Sequence, residues 1–264
     1  MLIAGYFASI LIGISLGLIG GGGSILTVPV LFYLFKVDPL LATVYSLFVV
    51  GTSSLVGTFQ KNKDGLIEYK TAVLFGIPSI LTVFITRKLI VPLIPDSLGA
   101  INGFEITKAF LTMLFFASLM IAASFSMIRT KKRQDKSEQG QKNYIKIAIQ
   151  GLFVGMITGL VGAGGGFLII PALILLCHLP MKKAVGTALL IIAVNSLLGF
   201  SVDFYSGVKI DWTLLLSVTS LAIGGIFIGN MLSKKIDGNQ LKKGFGWFVL
   251  SMGVYILLDL LLNK

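Results

Sequence analysis

Residues 13–29 read GISLGLIGGGGSILTVP, and residues 155–171 read GMITGLVGAGGGFLIIP. The two stretches stand 142 residues apart and share Gly13/Gly155, Gly17/Gly159, Gly20/Gly162, Gly22/Gly164, Gly23/Gly165 and Pro29/Pro171. Each lies inside an apolar run too long for one helix. As continuous helices, 2–35 and 145–177 would extend about 50 Å at 1.5 Å per residue, against roughly 30 Å of bilayer hydrocarbon. Glycine costs about 1 kcal/mol in a helix interior relative to alanine. Gly20-Gly21-Gly22-Gly23 and Gly162-Ala163-Gly164-Gly165-Gly166 are therefore expected to end the helices that enter them. Each run reads as a broken helix, with a re-entrant or half-length second piece that carries Pro29 or Pro171.

Extended without a gap, the self-alignment places 13–57 on 155–199 with fifteen of 45 positions identical, among them Ala42/Ala184, Ser54/Ser196 and Gly57/Gly199. Gly65/Gly207 keeps the same offset. Apolar composition produces chance Leu and Ile matches, but not paired glycines, a proline and a serine in register. The chain reads as two homologous four-segment repeats, 1–128 and 145–264, joined by a basic linker at 129–144. Hydrophobic segments fall at 2–35, 40–59, 69–86, 105–128, 145–177, 183–202, 212–232 and 244–262. Residues 1–19 lack a basic n-region and read as a retained span. The expected fold is an all-α integral membrane protein of about eight hydrophobic segments, each repeat opening with a Gly-broken helix. Transporters are commonly built from such repeats, with the substrate site near the bilayer midplane where broken helices meet. The halves can be parallel or inverted. Inversion needs an odd number of crossings per half, which the broken segments supply if they cross twice, giving ten.

Composition agrees. The chain is 264 residues long, 55% hydrophobic and 12% charged, with a mean hydropathy of +0.94. A soluble domain carries about 25% charged residues. The 31 glycines are an excess, and the single cysteine excludes an internal disulfide or a cysteine metal cluster. The net charge of +11 is concentrated at Arg129, Lys131, Lys132, Arg133, Lys136, Lys142 and Lys146 and otherwise in pairs between apolar runs. That distribution marks cytoplasmic loops and membrane-end anchors rather than a nucleic-acid surface, and it places the linker 129–144 in the cytoplasm.

The glycine breaks are also candidate sites. Where a helix restarts, its first N–H groups lack intrahelical partners and carry the positive end of the dipole, so an anion can accept from them. Gly20, Gly21, Gly22, Gly23, Ser24, Gly162, Gly164, Gly165 and Gly166 are the candidates of this kind. The alternative is close helix packing, which Gly13-xxx-Gly17 and Gly155-xxx-Gly159 fit well. The second segment of each half carries Thr52, Ser53 and Ser54 in one repeat and Asn195 and Ser196 in the other, at mid-depth. Hydroxyls there can simply bond their own helix backbone. Asn195 has no such habit, and it aligns with Ser53. Ser53, Ser54, Asn195 and Ser196 are taken as substrate-binding candidates, with Tyr45 and Thr187 weaker ones. No charged residue lies deep in an apolar run, so the buried carboxylate of a proton-coupled carrier is missing. No catalytic constellation, metal-ligand spacing or cofactor motif appears. The chain is read as a non-enzyme with no cofactor, whose partners are a small anion and the lipid bilayer; self-association is left open.

The Gly13–Pro29 and Gly155–Pro171 motifs, the Ala42/Ala184 segments, and the Gly65/Gly207 turns followed by Ile67-Glu68-Tyr69 and Ile210-Asp211-Trp212 resemble the sulfite exporter TauE/SafE family. The resemblance implies a multi-pass inner-membrane protein exporting sulfite or small organosulfonates such as sulfoacetate. Another small solute or ion, or a non-transporting scaffold, are the alternatives. The chain departs from the family arrangement at 87–104, where Pro92, Pro95 and Asp96 interrupt the stretch between segments three and four.

Overall fold

The computed structural model describes residues 2–90, 93–95, 97–101, 104–129, 144–161, 166–205 and 207–262. Ten α-helices lie among them. The first half holds α1 (Leu2–Ile19), α2 (Gly22–Pro29, continued by a π-helical turn Val30–Leu34), α3 (Pro39–Lys63), α4 (Tyr69–Ile85) and α5 (Lys108–Arg129). The second holds α6 (Tyr144–Val161), α7 (Gly166–Leu175), α8 (Met181–Tyr205), α9 (Trp212–Lys235) and α10 (Gly238–Leu262). Five helical spans are long and apolar enough to cross a membrane: Leu41–Lys63, Tyr69–Ile90, Met181–Tyr205, Trp212–Lys235 and Gly238–Leu260. Ile3–Ile19, Ala117–Arg129 and Ile145–Leu160 are shorter apolar helices. The expectation of an all-α chain needs one correction. Strands β1 (Ser97–Ile101) and β2 (Phe104–Thr107) pair antiparallel in the stretch where the prolines interrupt the apolar pattern, so α5 begins at Lys108 rather than 105. Most of the linker, residues 130–143, lies outside the described residues, as do Gly162, Gly164 and Gly165.

The outer surface is apolar. On α4, Val73, Ile77 and Leu81 recur every four residues and are each more than half exposed, and Leu55 and Phe59 repeat the spacing on α3. A continuous apolar exterior of this kind is a lipid-facing surface.

α1 ends at Ile19, Gly20 takes a left-handed φ of +79°, and α2 then returns beside α1. A Cβ on Gly23 would lie 2.6 Å from the Ile12 carbonyl oxygen, and the Phe35 ring packs edge-on against Tyr6 at 5.3 Å. The return stops at a left-handed Lys36, with the Val37 N–H donating to the Leu31 carbonyl at 3.1 Å. α7 stops the same way 142 residues later, at a left-handed His178 with Leu179 N–H donating to Leu173 at 3.0 Å. Both stops close with an N–H that reaches back six residues, one more than in a Schellman motif, past a left-handed residue that is not glycine.

Helices of one half pack on helices of the other. α1 runs parallel to α9, and their backbones nearly touch. A Cβ on Gly13 would sit 1.9 Å from the Ala222 carbonyl oxygen, and one on Gly225 would sit 2.2 Å from that of Ile10. α4 and α6 make the corresponding seam, where a Cβ on Gly151 would fall 2.3 Å from the Phe75 oxygen and one on Gly155 2.4 Å from that of Ser79. α3 and α8 run antiparallel, pairing Gly57 with Leu189, Gly51 with Leu197 and Phe48 with Phe200. α5 and α10 are antiparallel too, with Gly246 against Met127 and Gly253 against Met120. Two hydrogen bonds cross between halves in a reciprocal manner. The Thr187 hydroxyl of α8 accepts the Glu68 N–H at the start of α4 (3.0 Å), and the Tyr45 hydroxyl of α3 accepts the Asp211 N–H at the start of α9 (2.6 Å). Tyr45 and Thr187 are thus structural caps, engaged with the opposite half.

Gly225→Leu is expected to destabilise the protein by about 3 kcal/mol or more, since a backbone, not a side chain, blocks the added carbons. Gly224→Leu, one residue away with nothing within 4 Å of its Cβ position, is expected to be silent; thermal unfolding in detergent reads both. Thr187→Val and Tyr45→Phe each leave a helix-start N–H without its acceptor and are expected to cost about 1–3 kcal/mol in the same assay.

Candidate functional site

α3 and α8 are 25-residue helices, and each carries its adjacent polar pair just past the middle: Ser53-Ser54 on α3, Asn195-Ser196 on α8. The antiparallel register that sets Gly51 against Leu197 and Phe48 against Phe200 brings Ser53 level with Asn195. All four residues are buried: Ser53, Ser54 and Ser196 are 0% exposed and Asn195 5%.

Their hydrogen bonding separates them from ordinary intrahelical hydroxyls. Thr52 donates to the Phe48 carbonyl, Thr58 to Ser54 at 2.7 Å and Ser201 to Leu197 at 2.8 Å, all within their own helices. Ser53 Oγ, Ser54 Oγ, Ser196 Oγ and Asn195 Oδ1 have no partner among the described residues. The Asn195 amide reaches Ser79 Oγ on α4 at 3.5 Å, the outer limit of a hydrogen bond. A buried polar atom left unsatisfied costs about 1–3 kcal/mol; Ser15, Thr86, Thr158 and Asn230 also carry one, but these four gather at one level of the α3/α8 pair.

The starts of the two short helices meet. A Cβ on Gly166, which opens α7, would lie 3.2 Å from Ser24 Oγ near the start of α2, and 2.8 Å from Ile192 on α8. A Cβ on Gly20 would lie 3.0 Å from Ile170 of α7 and 3.1 Å from Val185 of α8. The α1–α2 turn is therefore seated on the other half, beside α8. The glycines serve different ends. Gly13, Gly17 and Gly23 allow backbone packing, Gly20 makes the turn, and Gly166 makes room for Ser24 and Ile192. Ser24 spends its hydroxyl proton on the Gly21 carbonyl at 2.7 Å, so it can only accept from a ligand. Gly21 lies at the N-terminal end of α2 without a side-chain cap, followed by Gly22.

One polar cluster escaped the sequence reading. Lys61, just past the apolar run 40–59, lies in the last turn of α3 at 3% exposure, and its ammonium donates to Ser233 Oγ of α9 at 2.7 Å. Asn230 donates to Gln60 beside it. The i, i+3 spacing of Asn230 and Ser233 was the available signal, masked by the neighbouring Lys234 and Lys235.

With the geometry described, the chain can be set beside known proteins. The family model described as Sulfite exporter TauE/SafE matches residues 6–256. A Xylella fastidiosa (strain 9a5c) protein described as a probable membrane transporter protein is 28% identical over 253 residues, covering 94% of this chain and 91% of its own length. The probable membrane transporter protein YunE of Bacillus subtilis is 30% identical over 242 residues, covering 83% of this chain and 84% of its own. A protein of the same description from Methanocaldococcus jannaschii is 25% identical over 262 residues, covering 94% and 92%. The match extends over nearly the whole chain, and the chain belongs to the sulfite exporter TauE/SafE family of multi-pass membrane transporters.

Proposed function

We propose that this transporter exports small anions, such as sulfite or organosulfonates, across the cell's inner membrane by alternating access of two inverted repeats, 1–128 and 145–264. The substrate would sit near the midplane among Ser53, Ser54, Asn195 and Ser196, with the glycine stretches Gly20 to Gly23, followed by Ser24, and Gly162 to Gly166 as its further candidate contacts. The observation that carries the reading is the set of four buried polar side chains, each with an oxygen that lacks a partner, at corresponding positions of α3 and α8. Neutral donors and helix N-termini suit an anion that must bind and leave. The reciprocal seams α1/α9 and α4/α6, the crossed caps from Thr187 and Tyr45, and the antiparallel α3 and α8 support inversion, because equivalent helices related by an axis in the membrane plane must run opposite ways. If α2 with its π-helical turn, and α7, each add a crossing, both halves have the odd number that inversion requires. Expelling an anion from a cell negative inside is downhill by about 2.3 kcal/mol per charge per 100 mV, so the membrane potential suffices as the drive. The linker 129–144 would then be cytoplasmic.

Reconstituted in liposomes, the protein is expected to carry sulfite or sulfoacetate, with sulfate as the third member of the panel. Absence of flux for all three refutes the anion reading. Asn195→Leu combined with Ser53→Ala is expected to raise the half-saturating concentration tenfold or more, as the loss of hydrogen bonds to a charged ligand worth about 1.5–3 kcal/mol each requires. Unchanged kinetics in folded protein would place the site elsewhere. For topology, Lys63→Cys and Tyr205→Cys occupy equivalent, exposed positions at the ends of α3 and α8. In a Cys177→Ser background they are expected to label from opposite sides of the membrane, and same-side labelling sinks inversion.

A further inference from the structure

The α3/α9 seam has an unusual end. Ser54, Gly57 and Lys61 are spaced i, i+3 and i+7 on α3, so they share one helix face, with Lys61 about 10 Å along the axis from Ser54. Between them Gly57 is covered by Ile226 of α9 and Leu189 of α8, whose methyl carbons would stand 2.6 and 3.2 Å from a Cβ there. An apolar layer thus separates the midplane serine from the lysine beyond it.

The Lys61 ammonium is buried with three N–H donors, and one goes to Ser233 Oγ at 2.7 Å. Ser233 passes its own proton to the Asn230 carbonyl at 2.9 Å. Asp64, three residues on, is engaged by Lys234 at 2.7 Å, and among the described residues no carboxylate stands within ion-pair distance of Lys61. Asp64 is thus the nearby counter-charge, but it is shared with Lys234 and makes no direct contact with the ammonium, so the buried charge is only partly compensated. Beside it, Asn230 gives its amide N–H to Gln60, and its Oδ1 is left buried without a partner. The cluster therefore holds unspent donors on a cation and one unspent acceptor. The fold itself does not need a cation here, because the position equivalent to Lys61 in the other half is Asp203.

We propose that Lys61, Asn230 and Ser233 form a second anion station at this end of the α3/α9 seam, which takes a small oxyanion carrying one proton. The oxyanion's bare oxygens accept from the Lys61 ammonium, and its O–H donates to Asn230 Oδ1. Ser233 holds the ammonium in place. The station rests on the anion-transport reading and extends it. It concentrates the anion outside the Leu189–Ile226 layer, and opening that layer passes the anion to Ser54.

The test uses the full-length protein, with sodium sulfite as probe and sodium gluconate holding ionic strength constant. Sulfite flux into liposomes and sulfite-dependent thermal stabilisation in detergent are both measured. Lys61→Met is expected to raise the half-saturating sulfite concentration about tenfold or more while maximal flux changes less than about threefold, the signature of one lost charge-assisted contact. Lys61→Arg is expected to restore the half-saturation. Ser233→Asp supplies the ammonium with an internal counter-charge, so the protein should fold and lose sulfite affinity as Lys61→Met does; it decides the matter if Lys61→Met does not fold. Wild-type half-saturation in folded Lys61→Met or in Ser233→Asp overturns the station while leaving the midplane site standing. If the wild type carries no sulfite, the transport reading has failed, and stabilisation judges the station alone. A sulfite shift lost in Lys61→Met sustains it, and no shift in the wild type overturns it.

Discussion

The molecule depends on backbone meeting backbone at the glycine seams. Gly13 and Gly225 between α1 and α9, and Gly151 and Gly155 between α4 and α6, let helices from opposite halves approach until a single added carbon would collide with a carbonyl. In lipid no hydrophobic effect presses helices together, so such contact supplies the packing energy. Both seams join helices of different halves. Neither half has its first helix packed against its own fourth in this way, so the halves fold as one body. The crossed caps add to this, since the start of α4 is completed by Thr187 and the start of α9 by Tyr45.

Against that tight frame, the centre is under-satisfied. Most hydroxyls in the spans close on their own helix, as Thr52, Thr58 and Ser201 do. Ser53, Ser54, Asn195 and Ser196 do not, although they are as deeply buried. Their helices are held mainly by contacts elsewhere along their length, Asn195 alone of the four reaching another helix, at Ser79 of α4. The short helices α2 and α7 bring their amino ends to one another through Ser24 and Gly166. Unspent hydroxyls therefore gather between two halves that are otherwise held by close packing.

Much of this was legible from residues alone. The membrane-spanning character and the place of Ser53, Ser54, Asn195 and Ser196 within long apolar helices follow from periodicity and spacing, because bilayer thickness and helix rise leave few alternatives. Other features are tertiary. Nothing local in Tyr45 or Thr187 reveals that each caps a helix some 120 to 170 residues distant. Lys61, in the polar stretch Gln60-Lys61-Asn62-Lys63, has the sequence setting of a loop lysine, whereas its burial is decided by Ser233 and Asn230 on another helix. The hairpin of β1 and β2 was hidden by the prolines around it, which announced an interruption but not its form. Lys36 and His178 give no hint in sequence of their left-handed backbone, since glycine is the usual residue at such a helix stop.

The two ends of the α3/α8 pair are furnished differently. At one, Phe48, Phe200, Phe204 and Trp212 form an aromatic cluster with ring centroids 4.9 to 6.1 Å apart. At the other, the equivalents of Phe200 and Phe204 are Thr58 and Asn62, with Lys61 between them. Two identical halves related by an in-plane axis would give inward-open and outward-open forms that are mirror states of equal energy. Under the proposed inversion, the side-chain differences between the two halves would remove that degeneracy. In the proposed cycle, the resting bias of the carrier and any rectification of its flux are written in those few unmatched side chains, while the shared backbone is neutral between the two directions.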